Sequence, residues 1–179
     1  MRTLVLGGIR SGKSAVAEAT ARRAGGTTPV TYVATGPDGA DAEWVLRVAA
    51  HRARRPPDWC TIETTDLAGA LAAVAGPVIV DCLGTWLTAR LDALEAWRAP
   101  QQTWQDELDR DVTALTDAVR GFTHEVVLVS SEVGLTLVPE NRAGRLFADW
   151  LGLTNQRVAS ACDIVHLVVA GQVLTVKQP

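Results

Sequence analysis

The stretch Gly7-Gly8-Ile9-Arg10-Ser11-Gly12-Lys13-Ser14 decides how the rest of the chain is read. Its spacing is G-x-x-x-x-G-K-[ST]. A short apolar run over residues 2–6 comes immediately before it, and an alanine-rich run over 13–24 follows, stopped by Gly25-Gly26. Strand, glycine turn and helix in that order form a phosphate cradle. The glycines let the backbone turn tightly and aim its N–H groups inward at phosphate oxygens. The helix that follows presents its positive N-terminal end to the same anion. In this reading Gly7, Gly8, Ile9, Arg10, Ser11, Gly12, Lys13 and Ser14 all face the phosphates. Lys13 neutralises the β- and γ-phosphates and Ser14 holds Mg²⁺.

Outward from this loop, apolar runs at 30–34, 77–82 and 125–129 read as further strands, with a short one at 59–63. Helices are expected over 41–55, 66–74, 85–94 and 104–119, and a long one over 142–162 with a break near Gly152. Loops are expected at 97–103 and 134–141. Residues 164–169 and 173–177 flank Gly171-Gln172 and read as a terminal hairpin. Strands alternating with helices argue an α/β chain with a mostly parallel sheet, the hairpin adding an antiparallel edge. At 179 residues the chain is sized for a single domain over 1–179.

Composition closes off several functional classes. Lys plus Arg is 17 and Asp plus Glu is 20, so the net charge of −3 leaves no general footprint for nucleic acid. No apolar run is long enough to span a membrane. Cys60, Cys82 and Cys162 form no C-x-x-C pair and read as reduced, mostly buried thiols of a cytoplasmic protein. His124 and His166, at the start of one strand and inside another, read as structural.

Two further sets of residues carry chemistry. Asp81 closes an apolar strand at the carboxyl edge, where ligands bind in open α/β sheets. A carboxylate there suits Mg²⁺ or its water. On a helical wheel Glu43, Arg47, His51, Arg54 and Arg55 share one face, opposite Val45, Leu46, Ala49, Ala50 and Ala53. The arginines at 47, 52, 54 and 55 suit phosphate recognition, because the guanidinium fork binds oxygens in pairs. Crowded positive charge also favours a neutral imidazole, the nucleophilic form. These residues alone fit either a solvated basic face or a triphosphate clamp around a nucleophile.

An ordered set of motifs resembles one family. The set joins the glycine loop to Tyr32-Val33-Ala34-Thr35, to His51-Arg52-Ala53-Arg54-Arg55-Pro56, and to Trp59 with Thr61-Ile62-Glu63. It continues through Asp81-Cys82-Leu83, Trp86-Leu87-Thr88, Glu132-Val133-Gly134, Val138-Pro139 and Asn155-Gln156. This pattern resembles the adenosylcobinamide kinase / adenosylcobinamide-phosphate guanylyltransferase family of cobalamin biosynthesis, along essentially the whole chain. Ser131 stands where that family usually has asparagine, and Gly84-Thr85 where it usually has Thr-Leu.

The resemblance implies a RecA-like P-loop NTPase fold of three layers. It implies a kinase reaction in which GTP or ATP phosphorylates adenosylcobinamide. A guanylyltransferase reaction then proceeds through a GMP–histidine bond to adenosylcobinamide phosphate. The histidine that matches is His51, with Lys13 as the second catalytic residue and Ser14 and Asp81 as the metal pair. Nucleotide contacts are implied at Thr35, Gly36, Arg52, Ala53, Arg54, Arg55, Glu63 and Asp81, with Glu63 accepting from the guanine edge. A homotrimer is implied as well. Two other functions stay open at this point: a plain small-metabolite kinase on the same loop, and a non-enzymatic nucleotide switch.

Overall fold

A computed structural model describes residues 1–36, 46, 48, 49, 52, 53 and 55–179. Its centre is a seven-stranded sheet in the order β3-β2-β4-β5-β1-β6-β7. The strands are β1 (Arg2–Gly7), β2 (Thr31–Ala34), β3 (Cys60–Glu63), β4 (Val78–Asp81), β5 (Val126–Ser131), β6 (Ile164–Val169) and β7 (Gln172–Lys177). Only β7 runs antiparallel to its neighbour. The carboxyl ends of the other six therefore meet one edge of the sheet.

Parallel strands must be covered on both faces, which is why β1, β4 and β5 are continuous apolar runs. Successive residues alternate between two cores. On one face Leu4, Val78, Val80, Val126 and Leu128 pack with apolar side chains of four helices. These are α2 (Leu67–Ala73), α3 (Leu83–Ala93), α4 (Gln105–Gly121) and α5 (Arg142–Ala161). On the other, Val5, Ile79, Val127 and Val129 meet Ala17 and Ala21 of α1 (Lys13–Gly25). The result is the expected mostly parallel α/β fold, with helices on both faces and an antiparallel hairpin at the edge.

Several boundaries differ from the sequence reading. Helix α5 is unbroken at Gly152. The glycine costs about 1 kcal/mol against alanine. The buried stripe Trp150, Leu151, Thr154, Asn155 and Val158 outweighs it. Helix α3 starts two residues early, at Leu83, where the Thr85 hydroxyl accepts the Cys82 N–H at 3.4 Å. The segment expected as loop at 97–103 contains one 3₁₀ turn, Gln101–Thr103. His124 lies before β5, edge-on to Phe122, whereas His166 sits within β6 as expected. Cys60 is exposed rather than buried, because β3 is the outer strand of the sheet. Of the helix expected over 41–55, residues 46, 48, 49, 52, 53 and 55 are described; the first five are helical and Arg55 lies in a bend. Leu46, Ala49 and Ala53, from its apolar arc, are not buried, and Leu46 is 72% exposed. His51, Arg47 and Arg54 lie outside the described residues, as does Glu43.

Candidate functional site

The glycine loop leaves the end of β1, an interior strand between β5 and β6, at the strand-end edge. Gly7 admits no side chain: a Cβ there would lie 2.4 Å from the Ser11 hydroxyl and 2.8 Å from the Val168 carbonyl. The Ser11 N–H bonds the Gly8 carbonyl at 3.2 Å and closes the turn. Gly12, at φ +94°, takes the left-handed conformation that opens α1 at Lys13. The Lys13 ammonium lies over the loop and donates to the Gly8 carbonyl at 3.2 Å. A support unforeseen in the sequence comes from the terminal hairpin. Its turn, Ala170-Gly171, has positive φ at both residues, and the Gly171 N–H donates to the Ser11 carbonyl at 2.8 Å. The pairing of Gly7 with Val168 between β1 and β6 brings that turn to the loop.

A cleft of about 320 Å³ opens beside the loop. Its lining brings together Ile9, Lys13 and Ser14 from the loop, Gly36 after β2, Arg52 and Arg55, Glu63 from β3, and Asp81 from β4. These residues are far apart in the chain. The parallel sheet collects them at one edge, so three cations and two carboxylates face a common space.

Asp81 is held from below. The Tyr32 hydroxyl donates to Asp81 Oδ2 at 2.7 Å, and Tyr32 is 1% exposed. Burial first, and then the Asp81 charge, push the phenol pKa far up, so it stays a donor. The Arg55 guanidinium lies 3.4 Å from the centre of the same ring, a cation–π contact, and its Nη1 donates to Thr61 Oγ1 at 3.2 Å. Arg52 forms an ion pair with Glu63. Both side chains are partly exposed, so this pair matters for charge placement more than for stability.

Thr35 sits under the cleft rather than in its lining. It is 2% exposed, and its hydroxyl bonds the Cys82 carbonyl at 2.7 Å and the Thr85 hydroxyl at 2.6 Å. It also accepts the Cys82 N–H at 3.1 Å, so both polar groups of the Cys82 backbone are fixed next to Asp81. Burial, then the Asp81 charge, raise the Cys82 thiol pKa and keep it neutral. Ala53 is exposed and lies outside the lining. Sequence reasoning assigned no role to Tyr32, Thr88 or Phe147, and it marks Gly84, Thr85 and Ser131 only as departures from the family pattern around the expected corrinoid or trimer surfaces; all six line the cleft. Ser131 was open to discovery, since it ends β5 at the same edge as Asp81. Phe147 comes from α5 and depends on packing no local signal announces.

The donors available to a cation are hard oxygens, the Ser14 hydroxyl and the Asp81 carboxylate. Among the described residues no group of three or more His, Cys, Asp or Glu gathers to hold a metal. No helix among them is long and apolar enough to cross a membrane.

Comparison with known proteins gives the family of the chain. Residues 3–176 match the family described as cobinamide kinase / cobinamide phosphate guanyltransferase. The bifunctional adenosylcobalamin biosynthesis protein CobP of Pseudomonas aeruginosa is 39% identical over 181 residues, covering 99% of this chain and 98% of that protein. CobU of Salmonella typhimurium, of the same description, is 38% identical over 184 residues, covering 96% and 97%. Among solved structures, an ATPase of a bacterial type III secretion system superposes with a TM-score of 0.54 at 12% identity, over 97% of this chain and 56% of that one. A second solved ATPase domain superposes at 0.55 and 10% identity, over 99% and 76%. At such identities the two structures speak for the fold alone.

Proposed function

This chain belongs to the cobinamide kinase / cobinamide phosphate guanyltransferase family, and from that premise we propose that it carries out both reactions in the cleft at its strand ends. The observation that carries the reading is a convergence in one cleft. Lys13 and Ser14 of the glycine loop meet Asp81 and Arg52, and Arg52 is the residue next to His51 in the chain.

In the first reaction the loop, residues 7–14, grips the phosphates of GTP or ATP. The hydroxyl of cobinamide attacks the γ-phosphorus, the P–O bond to the nucleoside diphosphate leaving group breaks, and the hydroxyl proton is released to water. Lys13 offsets charge on the leaving oxygens. In the second reaction a nitrogen of His51 attacks the α-phosphorus of GTP and pyrophosphate departs. A phosphate oxygen of cobinamide phosphate then displaces the imidazole, giving a diphosphate link to GMP. The phosphoramidate divides one hard transfer into two easier ones. Arg52, Arg54 and Arg55 clamp the phosphates through paired N–H donors. Glu63 accepts from the guanine edge, and its ion pair with Arg52 must then be exchanged for the base. Gly36 borders the nucleotide directly. Thr35 acts through the Cys82 backbone, and Ala53 lies alongside the nucleotide in the arginine segment.

Ser14 and Asp81 suit a hard cation that completes its shell with phosphate oxygens and water. Mg²⁺ held there would neutralise phosphate charge and align the chain for attack.

GTP labelled at either the α- or the γ-phosphate tests the reading. The expected result is α-label on the protein, in an acid-labile and alkali-stable bond, with release of pyrophosphate. Chelating Mg²⁺ is expected to prevent it. Protein labelled from the γ-position, or left unlabelled, would sink the transferase half.

We also read the chain as a homotrimer. Every residue of the edge strand β7 is exposed, including Val173, Leu174 and Val176. Sedimentation equilibrium is expected to return three times the 19.0 kDa chain mass, and a monomer mass would contradict this. An exposed thiol at Cys60 fits the reducing cytoplasm, which fractionation of source cells would check.

A further inference from the structure

The cleft has two walls, and they lie on opposite faces of the sheet. Lys13 and Ser14 open α1, which packs on the face holding Ala17 and Ala21. Gly84 and Thr88 come from α3 and Phe147 from α5, both of which pack on the other face. Asp81 and Ser131, at the ends of β4 and β5, form the floor between them.

The nucleotide already has a course along this cleft. From β1, which carries the loop, to β3, which carries Glu63, there are four steps across the sheet. At about 4.8 Å per step that is roughly 19 Å, room for an extended nucleoside triphosphate. The α3–α5 wall holds none of the cations or carboxylates that this course uses. Its surface is a methyl-bearing hydroxyl (Thr88), a second hydroxyl (Ser131), an aromatic ring (Phe147) and a bare backbone (Gly84). A Cβ on Gly84 would sit 3.7 Å from the Phe147 ring and 3.8 Å from the Ser131 hydroxyl, so these three form one continuous surface. Behind it, Asn155 donates to the Ser131 carbonyl at 3.1 Å and fixes the floor.

Phosphoryl transfer requires the attacking and leaving oxygens to stand roughly in line. With the triphosphate gripped on the α1 side, the acceptor must approach from the side facing it. We propose that the wall of Gly84, Thr88, Ser131 and Phe147 is the acceptor subsite. It takes the alcohol end of cobinamide in the first reaction and the phosphate monoester in the second. The Ser131 hydroxyl is placed to bond that end, the Thr88 hydroxyl, which donates to the Gly84 carbonyl at 3.1 Å, can accept from it, and Phe147 supports the carbon chain behind it. The assignment rests on the two-reaction reading above.

Two variants test it by steady-state kinetics, with cobinamide and then cobinamide phosphate as the varied substrate. Thr88 is exposed, so Thr88→Phe fills the wall without touching the core. Phe147→Ala removes its ring, and circular dichroism checks that each variant is folded. Each is expected to raise KM for both acceptors about tenfold or more, with KM for GTP held within about twofold. The GMP-loaded variants are expected to discharge to cobinamide phosphate about tenfold more slowly. Acceptor KM values equal to those of the unsubstituted chain would overturn the assignment. So would a parallel rise in KM for GTP, which would give this wall to the nucleotide. If the unsubstituted chain itself forms no product, the two-reaction reading fails instead, and the two failures are told apart.

Discussion

Replacing His51 by alanine is expected to lower the α-label captured from GTP by about 10⁴-fold or more, to background. The substitution removes the only protein atoms proposed to bond phosphorus, so no partial function is left for a neighbouring side chain to supply. The arginines would still hold the triphosphate, since their guanidinium groups do not depend on the imidazole. GTP affinity is therefore expected to fall far less than labelling. Phosphoryl transfer to cobinamide, which needs no imidazole nucleophile, should stay measurable. Labelled protein from the alanine variant would remove His51 from its role, whatever the fate of the kinase reaction.

Lys13→Ala is expected to weaken GTP binding by about 100-fold, or about 2.7 kcal/mol, in calorimetric titration. Lys13 is the only lysine near the loop; the other, Lys177, donates to the Ala159 and Cys162 carbonyls at the far end of β7. The Lys13 ammonium already rests at the Gly8 carbonyl, over the turn proposed to grip the phosphates. Arginine is expected not to restore affinity, because a planar fork does not occupy the place of a compact point charge. Both reactions should decline together, since both use the same grip. Unchanged affinity in the alanine variant would count against the loop as the phosphate site.

The contrast between these two residues shows what a sequence can disclose. The loop was legible because strand, glycines, lysine and helix are contiguous, and each has a local physical reason. The strands were legible because parallel strands buried on both faces must be apolar throughout. Asp81 followed from a topological rule, that ligands gather at the carboxyl ends of strands. Applied to β5, the same rule would have exposed Ser131. Thr35 was read as touching nucleotide, yet its hydroxyl is spent on the Cys82 backbone, a fact that depends on how β2 and β4 pair. Phe147 and the bond from Gly171 to Ser11 depend on long-range packing, which no spacing along the chain encodes. Gly152 misled for a related reason. Local propensity disfavours it, and only the tertiary burial of its neighbours decides that the helix continues.

The arginine segment is the remaining case. Periodicity placed His51 with the arginines but left open whether that face was solvent or site. Arg52 and Arg55 line the cleft beside Lys13, which favours the site. The role of His51 itself rests on chemistry and on membership of the family, so the direct measurement is chemical. Protein incubated with GTP and Mg²⁺, digested at neutral to alkaline pH and sequenced by tandem mass spectrometry, should carry one GMP on the peptide containing His51, bonded to that imidazole. GMP found on any other residue, or found nowhere while pyrophosphate is still released, would contradict the account.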